Sequence, residues 1–482
     1  MNHVYTTLRK IIPLLMILFS AFSLVAQSSE FAKTIGGTNE DWAQSVVQSP
    51  DGGFVLTGIT YSRGAGGEDV FLVKTNAAGD TVWCKTFGGS MDDYGYKIHN
   101  TSDGGMLITG HTKSFGAGDC DGYVIRTDAN GRELWEHTYG GIGDDVVYGE
   151  AELPNGDFIM TGFTENFGAA GRDIFLIRTD AGGNLTWTKT IGGSADDYGK
   201  FIALTHDGNI VLGATTNSYG AGDNDFFLVK ADFDGNVLWT KTIGGIANDD
   251  MWSMHVTTDG GFIMTGVTFS YGNGKGDCYL AKADAVGDVE WTRTFGGEGN
   301  DRGNSVNETS DGGYIMTGTL IPAGDSVGDA YLVKTDANGN KLWEKIFGGL
   351  NDDNGNSVIE SSDEGLVIAG RTVSFGEGWS DVYFIKTDAE GNVVSGIGAI
   401  NGNHTVSIFP NPIKNNAIIK VSGTGALMTI IISALNGEEV KRISGITSAN
   451  IIFYRNQLPA GTYLYSLIRK DEVIDRGKII LE

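Results

Sequence analysis

Carboxylates recur along this chain at a fixed interval. Asp41, Asp93, Asp145, Asp197, Asp249, Asp301 and Asp353 form one series, and Asp69, Asp121, Asp173, Asp225, Asp277, Asp329 and Asp381 form a second, each with a step of 52 residues. Both lie in glycine-rich stretches, of which Gly88-Gly-Ser-Met-Asp-Asp93 and Ser114-Phe-Gly-Ala-Gly-Asp-Cys-Asp121 are examples. Two chemistries suit such residues. Hard oxygen donors on glycine-rich loops can hold a structural Ca²⁺ ion, although the spacing matches neither the EF-hand loop nor the RTX nonapeptide. Alternatively, each aspartate caps its loop by accepting backbone N–H bonds. No other cofactor is expected.

A different set of positions varies where the aspartates do not. One reads Gln44, Tyr96, Tyr148, Lys200, Trp252, Asn304 and Asn356; three residues later the series is Val47, His99, Ala151, Ala203, His255, Asn307 and Ile359. Scaffold positions keep one residue type from copy to copy, so these are free to serve a single site. Tyr96, Tyr148 and Trp252 offer flat rings with apolar faces and polar tips, and His99 and His255 add hydrogen-bonding groups. These five are the candidate ligand site, for a glycan or a protein. Unselected variation along a wet channel is the competing account.

Catalytic constellations are missing. No Ser-His-Asp, His-Glu-x-x-His or Gly-x-Ser-x-Gly arrangement stands out, and the arginines that break the repeat, Arg63, Arg172, Arg302 and Arg371, are spread over four copies. The expectation is a non-catalytic binding protein. A polysaccharide-acting hydrolase or lyase is the alternative, and a structural surface component without a discrete ligand is a further one.

The elements that must position these residues follow from the same period. Tryptophan falls at 83, 135, 187, 239, 291 and 343, a Gly-Gly pair falls in all seven copies from Gly36-Gly37 to Gly348-Gly349, and the copies fill residues 31–394. A constant period of this length means one supersecondary unit used many times. In the second copy, Tyr96–Ser102, Met106–Ser114, Asp121–Thr127 and Glu133–Tyr139 are separated by turn signals and show no helical period, which gives four antiparallel strands. Repeated four-stranded sheets predict an all-β fold, a seven-bladed β-propeller of 52-residue blades. Phe31-Ala-Lys-Thr-Ile35 has the sequence of a fourth strand with no strands before it, while the last copy lacks its fourth strand after Asp381–Lys386. The N-terminal strand is therefore expected to complete the last blade and close the ring, hiding two sheet edges.

Residues 31–394 resemble the seven-bladed β-propeller repeat family of secreted bacterial proteins. The motifs that carry the resemblance include Gly88-Gly89, Asp103-Gly-Gly105, Asp121-Gly-Tyr123 and Gly131-Arg-Glu-Leu-Trp135. The resemblance implies the fold and leaves function open.

The two ends differ from this centre. Residues 1–27 read as a signal peptide, with Arg9 and Lys10 ahead of the short apolar run Ile11–Val25, and no transmembrane span is expected in the mature chain. Residues 395–406 read as an uncharged, glycine-rich linker, and residues 407–482 as a small Ig-like β-sandwich. In that tail, Phe409-Pro410-Asn411-Pro412, Leu458-Pro-Ala-Gly461-Thr-Tyr463-Leu464 and Gly477-Lys478-Ile-Ile-Leu-Glu482 closely resemble the type A sorting domain of the type IX secretion system of Bacteroidetes. That resemblance implies export through the periplasm and outer membrane, with the secretion machinery as a partner, and release or attachment at the cell surface.

Charge is consistent with an exported surface. Residues 31–394 hold 23 Lys and Arg against 53 Asp and Glu, a net of −30, which repels phosphate and argues against a nucleic-acid partner. Three cysteines, Cys84, Cys120 and Cys278, are too few for a disulfide framework.

Overall fold

The protein's computed structural model describes residues 30–393, 406–421, 428–434, 438–446, 450–469 and 472–481. The expected signal peptide, residues 395–405 of the expected linker, and Asn436-Gly437, a pair whose sequence signals a hairpin turn, lie outside them. Every regular element among the described residues is a β-strand.

The repeats form seven four-stranded antiparallel sheets. In sheet one the strands are Asp41–Gln48, Phe54–Thr60, Asp69–Thr75 and Thr81–Phe87, hydrogen-bonded in sequence order. The middle two, Phe-Val-Leu-Thr-Gly-Ile-Thr and Asp-Val-Phe-Leu-Val-Lys-Thr, are buried along their whole length. Continuous β-branched and aromatic runs of this kind fit a strand covered on both faces. The fourth strand is partly exposed throughout. First strands of the later sheets are Asp93–Asn100, Asp145–Glu152, Asp197–Leu204, Asp249–Val256, Arg302–Glu308 and Asp353–Glu360. The first strand of the second copy thus starts at Asp93, three residues earlier than its sequence suggests.

Sheet seven takes its fourth strand from the start of the repeat region. Phe31–Ile35 pairs antiparallel with Asp381–Thr387, from Phe31 opposite Lys386 to Ile35 opposite Val382. The first strand of each sheet lies against the first strand of the next, and that of sheet seven lies against that of sheet one. The same hydrogen bond recurs at successive seams. Val306 N–H donates to Ser253 Oγ at 3.4 Å, Val358 N–H to Ser305 Oγ at 3.2 Å, and Val46 N–H to Ser357 Oγ at 3.3 Å.

The period tryptophans are wedges between sheets. Trp83, Trp187, Trp239, Trp291 and Trp343 cover Gly131, Gly235, Gly287, Gly339 and Gly391, the hairpin glycines of the following sheet. A Cβ at any of these glycines would meet the indole at 2.5–2.8 Å, and each has a φ of +69 to +81° that disfavours other residues. One period before Trp83 stands Phe31, whose ring covers Gly79 in the same way, with a Cβ position at 2.6 Å. The N-terminal strand therefore supplies the seventh wedge as well as the seventh outer strand.

Each sheet also carries one cation on its third strand, tied to the turn between strands one and two. Lys74 pairs with Asp51, Arg126 with Asp103, Lys230 with Asp207, Lys282 with Asp259, Lys334 with Asp311 and Lys386 with Asp363; in sheet three Arg178 pairs with Asp157. The Asp-Gly-Gly motifs are thus ion-pair partners as well as turns.

The tail folds as two facing sheets, one of Val406–Phe409, Asn416–Val421 and Asn450–Tyr454, the other of Glu439–Ile446, Met428–Ala434, Gly461–Arg469 and Glu472–Leu481. Ile408, Ile419, Ile430, Phe453, Leu467 and Ile479 are among its core. Glu439–Ile446 escapes the sequence reading because it is a charged edge strand (Glu-Val-Lys-Arg), the composition that blunts an exposed edge.

Phe31 is 3% exposed and packs on Phe384 at 4.9 Å between ring centroids. Phe31→Ala is predicted to cost about 3–5 kcal/mol, read by denaturant unfolding of the full chain.

Candidate functional site

The variable residues of the first strands meet in one place. Gln44, Tyr96, Tyr148, Lys200, Trp252, Asn304 and Asn356 line a single cavity of about 340 Å³. What puts them there is a β-bulge repeated in every first strand. The register with strand two skips between Ala43 and Ser45, Gly95 and Lys97, Val147 and Gly149, Gly199 and Phe201, Met251 and Ser253, Gly303 and Ser305, and Gly355 and Ser357. The skipped residue is the variable one each time. A bulged residue leaves the ladder, and its side chain is re-aimed. Here all seven point to a common centre.

Aromatic groups gather on one side of the cavity. The rings of Tyr96 and Tyr148 lie 4.9 Å apart, and Lys200 Nζ sits 4.1 Å from the Tyr148 ring and 5.4 Å from the Trp252 ring. Trp252 is 46% exposed, an open face available for stacking. Amides occupy the other side. Asn304 Nδ2 donates to Gly355 O and Asn356 Nδ2 to Ala43 O, both at 2.9 Å, which fixes each amide across a seam.

Two residues that the sequence reading missed complete the wall. Lys97 and Glu150 follow the bulges of sheets two and three and line the same cavity. The signal was present in the repeat columns. Lys97 stands among Ser45, Gly149, Phe201, Ser253, Ser305 and Ser357; Glu150 stands among Val46, Ile98, Ile202, Met254, Val306 and Val358. Burial pushes Glu150 up to about 7 against the opposing charge of Lys97, and its Oε2 accepts from Thr109 Oγ1 at 2.8 Å. Burial lowers Lys97, and it lowers Lys200 to about 8. His99 and His255 do not join this lining. They sit three residues beyond the bulge, where burial lowers both below the usual histidine range. The structure thus brings Tyr96, Tyr148 and Trp252 together and leaves the two histidines outside their cavity.

The aspartate series are placed differently. In all seven copies the second glycine of Gly-Gly donates its N–H to the aspartate four residues on, at 2.6–2.9 Å. The other oxygen of Asp41, Asp93, Asp197 and Asp353 takes a threonine hydroxyl, from Thr60, Thr112, Thr216 and Thr372. In the second series, Asp121 accepts from Ala117 N–H and Gly118 N–H, and Asp173 and Asp225 from Ala169 and Ala221 N–H at 2.8 Å. These are loop caps. Among the described residues, no group of three or more His, Cys, Asp or Glu is placed to hold a metal ion.

Members of the two series also meet in pairs. A Cβ on Gly88 would run into Asp69 and Asp93, and one on Gly244 into Asp225 and Asp249. The first glycine of Gly-Gly is where two buried carboxylates converge, leaving no room for a side chain.

The tail motifs converge too. Asn411 Nδ2 donates to Lys478 O at 3.2 Å and Asn411 Oδ1 accepts from Ile480 N–H at 2.8 Å, while Gly461 and Tyr463 pair with Leu481 and Ile479. Phe409, next to Pro410, packs on Phe375 and Tyr383 of sheet seven at 5.3 Å. The corresponding Phe115, Phe167, Tyr219 and Tyr271 are all exposed. Pro412 lies with Pro410 in a groove against Lys33–Gly36 of the N-terminal strand and the loop that follows it.

Residues 407–482 match the secretion system C-terminal sorting domain family. The tail is a type IX sorting domain. It marks the chain for export and for secretion or attachment at the cell surface. No helix of the described residues is long and apolar enough to cross a membrane. No curated protein matches the chain. Solved structures similar to it include PorZ, a surface component of the type IX secretion system of Porphyromonas gingivalis, at 11% identity and a TM-score of 0.41 over 93% of this chain and 60% of that one. An extracellular domain from B. thetaiotaomicron, assigned to a hybrid two-component system, aligns at 11% identity and 0.41 over 92% of this chain and 55% of that one. A Penicillium chrysogenum α-L-arabinanase aligns at 12% and 0.43, covering 74% and 98%. This chain therefore spans little more than half of the first two, and no activity follows from the likeness.

The paired aspartates make a pH prediction. Burial pushes Asp329 and Asp381 up to about 6, and the charges of Asp353 and Asp41 push the same way. A carboxyl raised in the folded state contributes stability below its unfolded value, near 4, and loses it as pH rises through about 6. Asp207, which Lys230 holds at about 2, titrates below this window. The stability contributed by these two carboxyls is predicted to fall between pH 4.5 and 6.5, while His99, His111 and His255, lowered by burial, act in the opposite direction over the same range. Asp329→Asn is predicted to recover about 1–2 kcal/mol at pH 7 and little at pH 4.5, read from melting curves across that range.

Proposed function

We propose that the seven sheets are the blades of a closed seven-bladed β-propeller, exported through the type IX route, whose central cavity binds a ligand without transforming it. The ligand class that suits the cavity best is a glycan, with a protein segment as the alternative, and the role is recognition or adhesion at the cell surface. Closure is supported by the pairing of Phe31–Ile35 with Asp381–Thr387 and by the Val46–Ser357 bond, which repeats the bonds at the preceding seams.

One observation carries the binding reading: seven bulges, one per sheet, turn the seven variable residues into a single cavity. Tyr148 and Trp252 supply faces for the C–H groups of a sugar ring, and Gln44, Asn304 and Asn356 supply amides for its hydroxyls. Single pockets of this kind, apolar faces with a few convergent polar groups, are the usual form of a small-ligand site.

A second reading, a polysaccharide-acting hydrolase or lyase, draws on Glu150. A carboxyl held near 7 in a cleft suits proton transfer. Binding to a glycan array by the full chain tests the first reading. Trp252→Ala with Tyr148→Ala is predicted to weaken the selected glycan at least tenfold in a variant that still unfolds in one cooperative transition. Undiminished binding by that variant would overturn the cavity as the site, and release of new reducing or unsaturated ends would favour the enzyme.

A further inference from the structure

We propose that the central cavity is selective for an acidic glycan, reading the carboxylate or sulfate of one sugar residue with Lys97, Lys200 and Arg302. This rests on the reading of the cavity as a glycan site and names the class of glycan.

Charge is distributed unevenly over the repeat region. The repeat region carries a net of −30, and its buried cations are matched to carboxylates: Lys74, Arg126, Lys230, Lys282, Lys334 and Lys386 each form an ion pair. Lys97 and Lys200, half-buried, and Arg302, exposed at the rim, have no such partner. All three line the cavity, and among the described residues none has a carboxylate oxygen within 4 Å. An ammonium withdrawn from water without a counter-charge carries a desolvation cost. Burial accordingly lowers both lysines. An anion delivered into the cavity would supply the missing counter-charge.

Nearby carboxylates do not fill that role. Glu150 is the one acidic residue in the lining, and burial holds it near 7 with its Oε2 on Thr109. Asp250 lies close enough to favour charged Lys200 but beyond ion-pair distance, with its Oδ1 accepting from Asn224 Nδ2 at 2.7 Å. Arg172 adds a further positive charge near Lys200 and is itself bonded to Glu165 at 2.7 Å. The cavity wall is therefore the positive island of an acidic protein.

Geometry favours a sugar over an acidic peptide. Lys200 Nζ is held between the Tyr148 and Trp252 rings, so the ammonium and the stacking faces are presented together. A ring that stacks on Trp252 brings a ring substituent to the ammonium beside it. A flexible carboxylate side chain would use the charge and leave the aromatic faces bare.

Titration calorimetry on the full chain at low salt tests this with four probes: hexagalacturonate, a chondroitin sulfate hexasaccharide, neutral maltohexaose and hexaglutamate. Hexagalacturonate or the sulfated probe is expected to bind, to weaken at least tenfold in Lys200→Met and in Lys97→Met, and to recover in Lys200→Arg. Affinity should also fall as salt rises. Equal affinity for maltohexaose, unmoved by the lysine variants, would overturn the acidic preference and leave the glycan reading standing. Tighter binding of hexaglutamate would overturn the sugar and favour a protein ligand. Binding of none of the four would count against both. Lys97→Met that fails to fold leaves Lys200→Met and the salt dependence to decide.

Discussion

A four-stranded sheet with two apolar faces cannot stand alone in water, and every feature of the repeat region answers to that constraint. The middle strands of sheet one are buried along their full length, and each sheet must find cover on both sides. The neighbouring copy provides it. Indole wedges on hairpin glycines, serine hydroxyls on valine N–H groups and aspartates on Gly-Gly loops are all seam devices, and they recur because the seam recurs. Cover for the two terminal sheets comes from each other, through a strand the chain places ahead of its first copy.

Such uniformity leaves few positions free. The seam columns fix tryptophan, glycine, aspartate, valine and serine, and the middle strands fix the apolar runs. The bulge of the first strand is the exception, since its residue has left the ladder and no recurring seam contact dictates its type. Diversity collects there, at Gln44, Tyr96, Tyr148, Lys200, Trp252, Asn304 and Asn356. Variation and convergence have one cause: the same bulge that frees the side chain aims it at the centre.

Much of this was legible in the sequence because the period is strict. Strand number, the recurrence of tryptophan and the variable column can be read by laying the copies over one another. The bulges were not legible, since one unpaired residue leaves no mark on hydrophobic alternation that a strand start displaced by three residues would not leave too. His99 and His255 stand three residues beyond Tyr96 and Trp252 in the same first strands, and the cavity takes the bulged residues and not these histidines. Lys97 was visible as a charge in a column that is mostly serine, and Glu150 as the one polar residue in an apolar column. Their meaning depended on a cavity that only the bulges define. In the tail the motifs were plain, while the charged strand Glu439–Ile446 was not, because an edge strand shows little apolar pattern.

The sorting domain adds a contact to this scheme. Phe409 covers Phe375, and Pro410 and Pro412 lie along the N-terminal strand, so the export signal rests on the sheet that joins the two ends of the repeat region. That junction is the centre of the account, and amide hydrogen exchange of Phe31–Ile35 measures it most directly. Protection equal to that of the other outer strands, such as Thr81–Phe87 and Val237–Ile243, is the result expected of a ring closed by its first strand. Exchange of Phe31–Ile35 at the rate of free chain, while those strands stay protected, would contradict it.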